Sequence, residues 1–244
     1  MSTIVELLPR TLEGEIVEPA IAEVAPELST AEALRQSLAS FAEEQLRGLV
    51  QQVFLSGSTK PCRQIVFSGA DPQADVAHLC REVGETLASC VPGTTCVVEA
   101  LSCFSSAREM SDENAAFISS GQRRYGAWRD SAEQLSSNLW FMPAPVFAGG
   151  NEKNLSTAWL RGRLAELRLE FEYAVIQGPA CSSTEGHLLG ALADGLVLVL
   201  EANRTRRVAA QKVKQALSAA NVRLLGTVLS ERTFPIPEAI YKRI

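Results

Sequence analysis

The stretch Arg63–Cys80, RQIVFSGADPQADVAHLC, reads as a buried strand over Ile65–Phe67, a tight polar turn over Ser68–Ala74, and the start of a helix running to about Ser89. That strand–turn–helix order is the setting a phosphate-binding loop requires, because the first N–H groups of the helix point out of its end toward a ligand. The letters inside the turn do not complete it. Gly69 is its only glycine, and no lysine lies between Lys60 and Lys153. The stretch predicts a nucleotide-binding scaffold without its charged contents.

Upstream, Ser29-Thr30 caps a helix reaching about Phe54, with Leu34, Leu38, Phe41, Leu46, Leu49, Val50 and Val53 on one apolar stripe. Downstream, strands are predicted over Thr95–Leu101, Leu139–Pro143, Tyr173–Gln177, Leu196–Leu200 and Leu224–Leu229. Helices are predicted over Leu155–Leu169, through Leu188–Leu192, and over Arg206–Ala220 with Thr205 as its cap. Residues 102–138, with Arg123, Arg124, Tyr125 and Trp128, are polar with helical character. Leu196–Leu200 is apolar without alternation, as a central strand covered on both faces must be. Six strands alternating with helices across short turns predict an α/β fold with a doubly wound, mostly parallel sheet.

The 244 residues suffice for one large α/β domain, predicted over residues 30–244, without staples. Residues 1–29 read as an acidic, disordered tail: up to Thr30 there are six glutamates against Arg10 alone, while the rest of the chain is formally neutral. A net charge of −5 offers no electrostatic basis for binding nucleic acid or an anionic membrane. No apolar run can span a bilayer, and no basic-then-apolar leader opens the chain, which predicts a cytoplasmic protein. Cys62, Cys80, Cys90, Cys96, Cys103 and Cys181 form no C-x-x-C pair and have no histidine at ligand spacing, so reduced buried thiols are expected and no metal site.

Several segments together resemble one family, the cytoplasmic tyrosine autokinase domain of bacterial capsule and exopolysaccharide synthesis, a relative of the ParA- and MinD-like P-loop ATPases. FEYAVIQGPA is similar to the family's "fDyViiDtPP", ADGLVLVLEANRTRR to "aDgvllVvrag-Tr-r", and NVRLLGTVLSERTFPIPEAIY to "g-vlGvVLNr" with its C-terminal tail. EEQLRGLVQQVFLSG (Glu44–Gly57) resembles the helix bearing the oligomerisation motif E-x-x-R-x-x-R. The resemblance covers roughly residues 35–244 and implies a three-layer αβα fold of the P-loop NTPase kind.

The departures from that pattern concern its charged positions. The family's first Walker motif ends in Gly-Lys-Ser/Thr, whose lysine neutralises phosphate oxygens and whose hydroxyl holds magnesium. Here Ser68, Gly69, Asp71, Gln73 and Asp75 occupy that region; no register supplies the lysine, both aspartates are negative where a triphosphate would sit, and Pro72 lacks an N–H. Losing one charge-assisted contact costs about 1.5–3 kcal/mol, roughly 10- to 150-fold in affinity. Glu99 stands near the second motif's Asp, as a metal ligand or a plain strand-end carboxylate. Gln177 replaces the third motif's Asp, and Ser230 replaces the Asn on the adenine side.

Other candidates each have a bland alternative. Tyr241 is what remains of the family's tyrosine cluster, either a packed aromatic or a phospho-acceptor for another kinase. Arg204, Arg206 and Arg207 surround a helix N-terminus, where the macrodipole disfavours cations, so an anionic neighbour such as a carboxylate across an interface is expected, or else a solvated turn. Glu44 and Arg47 keep half of the oligomerisation motif, which an i,i+3 surface pair explains equally, and homo-oligomerisation stays open. His78 and His187 have no partner at nucleophile spacing, and Ser182, Ser183 and Thr184 read as a helix cap.

The resemblance and its departures imply a catalytically degenerate relative acting as a binding or regulatory subunit of envelope polysaccharide assembly or export. The partners it implies are a membrane chain-length-determining co-polymerase or an active kinase paralogue, with the protein peripheral to the inner membrane through a partner. No cofactor is expected. The alternatives are an active, atypical tyrosine autokinase or ATPase using Mg-ATP and Glu99, and a ParA-like scaffold unrelated to polysaccharide.

Overall fold

The computed structural model describes residues 30–56, 61–100, 128–148 and 156–230. The chain forms two compact units, Met1–Ser40 and Phe41–Ile244. Of the first, residues 30–40 are described, and they are helical. Helix α1 is Thr30–Val50, and Gln51–Leu55 follow as a wider π-helical turn in which Val53 and Phe54 are buried. The helix predicted to reach Phe54 therefore changes pitch after Val50.

The second unit is organised by seven strands: β1 (Gln64–Gly69), β2 (Thr95–Glu99), β3 (Glu133–Ser136), β4 (Leu139–Met142), β5 (Tyr173–Gln177), β6 (Gly195–Glu201) and β7 (Leu224–Ser230). They form one sheet in the order β3–β4–β2–β5–β1–β6–β7. Every neighbouring pair is parallel except β3–β4. The predicted doubly wound, mostly parallel α/β sheet is the fold observed. Among the described residues there is one strand more than the six predicted. The polar stretch expected to be helical supplies the short helix α3 (Trp128–Ser131) and then the edge strand β3, whose letters Glu-Gln-Leu-Ser carry no strand signature. An exposed edge strand has little to bury, so the apolar alternation that reveals central strands is absent.

The remaining helices are α2 (Val76–Cys90), α4 (Ala144–Ala148), α5 (Thr157–Glu170), α6 (Thr184–Leu192) and α7 (Arg207–Ala219). They divide between two apolar cores, one on each sheet face. Val50 of α1 and Val76, Cys80, Val83 and Leu87 of α2 pack with Ile65, Phe67, Val97, Val175, Val197 and Val199. On the opposite face Phe147 of α4, Leu160, Leu164 and Leu167 of α5, Leu189 of α6, and Val213 and Leu217 of α7 meet Val66, Val98, Ile176 and Leu198. This makes three layers, with every residue of β1 buried. Helix α2 approaches β2 closely through Gly84, where a Cβ would overlap the Val97 side chain.

All three tryptophans belong to the second face. Trp128 and Trp140 are buried there, and Trp159 packs against the same core, edge-on to Phe147. Arg163 lies 3.8 Å from the Trp128 ring centre and donates from Nε and Nη2 to the Phe147 and Val146 carbonyls at the end of α4, each at 2.8 Å. Arg129 stacks similarly on Trp140 and Phe171. These guanidiniums join cation–π contact to hydrogen bonding, which lysine cannot reproduce.

Asp194, just before β6, locks the N-terminal end of the sheet. Its carboxylate accepts the Arg63 and Gln64 backbone N–H groups, both at 2.9 Å, and Arg168 Nη2 at 2.9 Å. Burial would push this carboxyl up, but the Gln64 and Arg63 N–H donors and the Arg168 guanidinium outweigh it and hold its pKa below the ordinary value. A depressed carboxyl stabilises the fold above its unfolded pKa of about 4 and loses that contribution as pH falls through the native value. We expect Asp194→Asn to lower the unfolding free energy by about 1–3 kcal/mol at neutral pH. In urea titrations its deficit relative to wild type should shrink steadily below about pH 4.

Candidate functional site

In an open parallel sheet, ligands are received outside the carboxyl ends of the strands. Here that edge is lined by Gly69 of β1, Glu99 of β2, Gln177 of β5, Glu201 of β6 and Ser230 of β7. Phe67, Gln177 and Glu99 are direct partners across β1, β5 and β2. Alternation along the strands places Gln177 on the same face as Val175 and Glu99 on the same face as Val97, which is the face covered by α2. Gln177 is 9% exposed and Glu99 half-buried.

The connection from β1 to α2 is a closed turn. The Ala74 N–H donates to the Asp71 carbonyl at 3.2 Å across Pro72-Gln73, with proline's fixed φ at the second turn position. Gly69 cannot carry a side chain there, since a Cβ would lie 2.7 Å from the Asp71 carbonyl oxygen and 2.8 Å from the Ala74 Cβ. Asp75 is the N-cap of α2, its carboxylate accepting the His78 N–H at 3.3 Å. The helix end that could present N–H groups to a ligand already faces an anion of its own chain. Gln73 is exposed at the tip of the turn.

The β6–α7 connection bonds to this turn. Thr205 donates its hydroxyl to the Asp71 carboxylate at 3.1 Å and accepts the Glu201 N–H at 3.0 Å. Asn203, at φ 63°, makes the reversal, in a left-handed conformation that asparagine tolerates. Thr205 was expected to cap α7. Instead Arg206 holds the cap position with no side-chain hydrogen bond, and the threonine hydroxyl is spent on Asp71. The anionic neighbour of Arg204 lies within the chain: Nη1 sits 2.9 and 3.1 Å from the two Glu201 carboxylate oxygens. Arg206 and Arg207 are exposed.

On the other side of β1, Ser68 donates to the Pro179 carbonyl and accepts the Cys181 thiol at 3.0 Å, while the Cys181 N–H reaches the Gly69 carbonyl at 2.8 Å. Burial pushes the Cys181 thiol up and the Ser68 hydrogen bond only partly offsets it, so the thiol stays protonated and is no nucleophile. His187 Nε2 lies 2.8 Å from the Cys181 carbonyl, a structural contact as expected. Ser183 is the α6 cap, accepting the Gly186 N–H at 3.2 Å.

The structure thus gathers Ser68, Gly69, Asp71, Gln73 and Asp75 on one turn and sets Glu99 beside Gln177. Ser230, paired with Glu201, donates to the Leu200 carbonyl at 3.3 Å and is spent within the sheet. Arg47 pairs with Glu43 at 3.1 Å, an i,i+4 contact in place of the i,i+3 pair with Glu44. Tyr241 and Cys103 lie outside the described residues. No group of three or more His, Cys, Asp or Glu side chains able to hold a metal occurs among the described residues. The site residue missed by sequence reasoning is Thr205, whose pairing with a turn 134 positions away leaves no local signal.

Solved structures share this fold. The kinase domain of the Escherichia coli tyrosine kinase ETK superposes with a TM-score of 0.60 at 12% identity, covering 80% of this chain and 79% of that one. The BceF tyrosine kinase domain gives 0.57 at 20% identity, covering 82% and 86%. The MinD cell division protein of Aquifex aeolicus gives 0.51 at 13% identity, covering 74% and 72%. The chain has the fold of these proteins. At such identities the likeness concerns the fold alone, and no protein-family model and no curated protein matches the sequence.

The tie between the two connections is measurable. A double-mutant cycle of Asp71→Ala and Thr205→Val should return a coupling energy of about 0.5–1.5 kcal/mol in urea unfolding. Asp75→Ala should separately cost about 1 kcal/mol through loss of the α2 cap.

Proposed function

We propose that this chain is a non-catalytic relative of the capsule and exopolysaccharide tyrosine kinase domains, serving as a binding or regulatory subunit in envelope polysaccharide assembly or export. The observation that carries this reading is the Asp75 carboxylate capping α2. A magnesium–nucleotide site needs that helix end open to phosphate and a lysine beside the β- and γ-oxygens. Here the position holds one carboxylate on the helix end, a second on Asp71 tied to Thr205, and Pro72 without an N–H. Gln177 cannot supply the charge that would balance magnesium. The residues present do not fit a magnesium triphosphate, and the proposed role uses no cofactor.

The support for a polysaccharide role is the motif resemblance at Phe171–Glu231 together with the shared fold. The corresponding partners are the cytoplasmic segment of a membrane chain-length-determining protein or an active kinase relative. Such a partner would bring the chain to the inner membrane; no described helix is long and apolar enough to cross one. A second reading, an atypical nucleotide-dependent enzyme, draws on Glu99 beside Gln177 on the α2 side of the sheet.

Calorimetric titration separates the two readings. The expected result is no heat with Mg·ATP or Mg·ADP up to millimolar concentration. Binding at micromolar Kd, about 8 kcal/mol of affinity, would sink the non-catalytic reading in favour of the second.

A further inference from the structure

The two ends of the sheet are built differently. At one end β3 is four residues long, carries Glu133 and is bulged against β4, devices that keep an edge from recruiting another strand. At the other end β7 runs seven residues, Leu-Leu-Gly-Thr-Val-Leu-Ser, with no charge and no proline. It bonds β6 along one side, and among the described residues no strand pairs with its other side. One register shift, near Leu224, interrupts the pairing, and beyond it Gly226–Ser230 run regularly against β6. Leu229 is 53% exposed.

Beside this edge lies a groove of about 410 Å³ between α7 and β7, lined on the helix side by Lys214 and Ser218 and on the strand side by Leu224, Gly226 and Thr227. Arg207, Gln211, Lys214 and Ser218 recur at four-, three- and four-residue spacing, so they form one stripe along α7. Helix α7 contains no aspartate or glutamate, and Arg206, Arg207, Lys212 and Lys214 are all exposed. In a chain of net charge −5, this is a basic rail beside a strand edge that no described strand pairs.

We infer that the β7 edge, flanked by the α7 stripe Arg207–Lys214, is a docking surface for an extended acidic segment of a partner protein, added to the sheet as an eighth strand. The main chain of the segment would bond β7, and alternate side chains would fall on the α7 side. Carboxylates there would meet Arg207 and Lys214, while apolar residues at intervening positions would face away from the rail. The charge selects the partner's composition, and the uncharged strand accepts its backbone without regard to sequence. This surface meets the crevice at the carboxyl edge where β7 ends at Ser230 and α7 begins at Arg207, and the inference does not depend on nucleotide binding there.

The test uses the full-length protein and three nine-residue peptides: alternating Glu/Val, alternating Lys/Val, and a Glu/Val peptide with its second and third valines replaced by proline. Fluorescence anisotropy should show binding of the Glu/Val peptide, weakening as salt rises. The lysine and proline peptides should bind at least tenfold more weakly. Arg207→Glu/Lys214→Glu, a surface change that leaves both cores intact, should cut Glu/Val affinity at least tenfold with an unaltered circular dichroism spectrum. Hydrogen exchange should show new protection of β7 amides in the Glu/Val complex. Equal binding of all three peptides, indifference to the charge reversal, or β7 amides already fully protected without peptide would overturn the inference. So would a doubled mass in sedimentation that the charge reversal abolishes, since the occupant would then be a second copy.

Discussion

Strand β1 has parallel partners on both sides, β5 and β6, and helices over both faces, so it has no route to solvent for a single backbone group. Everything else is arranged to meet that condition. The row of residues from Ile65 to Phe67 fixes the register of both neighbours, and through them the rest of the sheet. It also explains the need for Asp194. Where β1 begins, the N–H groups of Arg63 and Gln64 find an acceptor in that carboxylate, because a buried donor left unmade costs more than most single contacts return.

At its other end β1 must leave the sheet, and there the chain has chosen closure. The turn after Gly69 bonds to itself, caps the next helix with its own aspartate, and is bonded by Thr205 from the β6 connection. Ser68 and Gly69 are bonded in turn by the loop after β5. Three connections are laced together where related folds hold a ligand between them. A loop satisfied by its own side chains gains order without a ligand and gives up the donors that would have recognised one.

The central strands were legible in the sequence because burial on both faces leaves an unmistakable run of apolar letters, as at Leu196–Leu200. The β1–turn–α2 unit was legible for the same reason, with Asp71 and Asp75 standing out as charges next to it. What escaped has no such imprint. Strand β3 is polar at an exposed edge, α4 is a five-residue helix, and the switch to π-helix after Val50 changes pitch without changing composition. Local spacing makes Thr205 a helix cap, while its actual partner, Asp71, lies 134 positions away. Arg47 has a glutamate at both i−3 and i−4, and it is Glu43, at i−4, that it meets. Arg204 meets its carboxylate three residues away in Glu201, a pairing that needs neither an interface nor a solvated turn.

The distribution of tryptophan has a spectroscopic consequence. All three indoles lie on the α5 side of the sheet, each with a guanidinium over its ring, and none belongs to the core that α1 and α2 cover. That second layer holds instead the edge-on pair of Phe54 and Tyr173. Intrinsic emission excited at the indole band therefore watches one half of the molecule. A partial opening that released α2 and the crevice beside it would leave the tryptophan signal nearly unchanged, and would register in far-ultraviolet dichroism or tyrosine emission first.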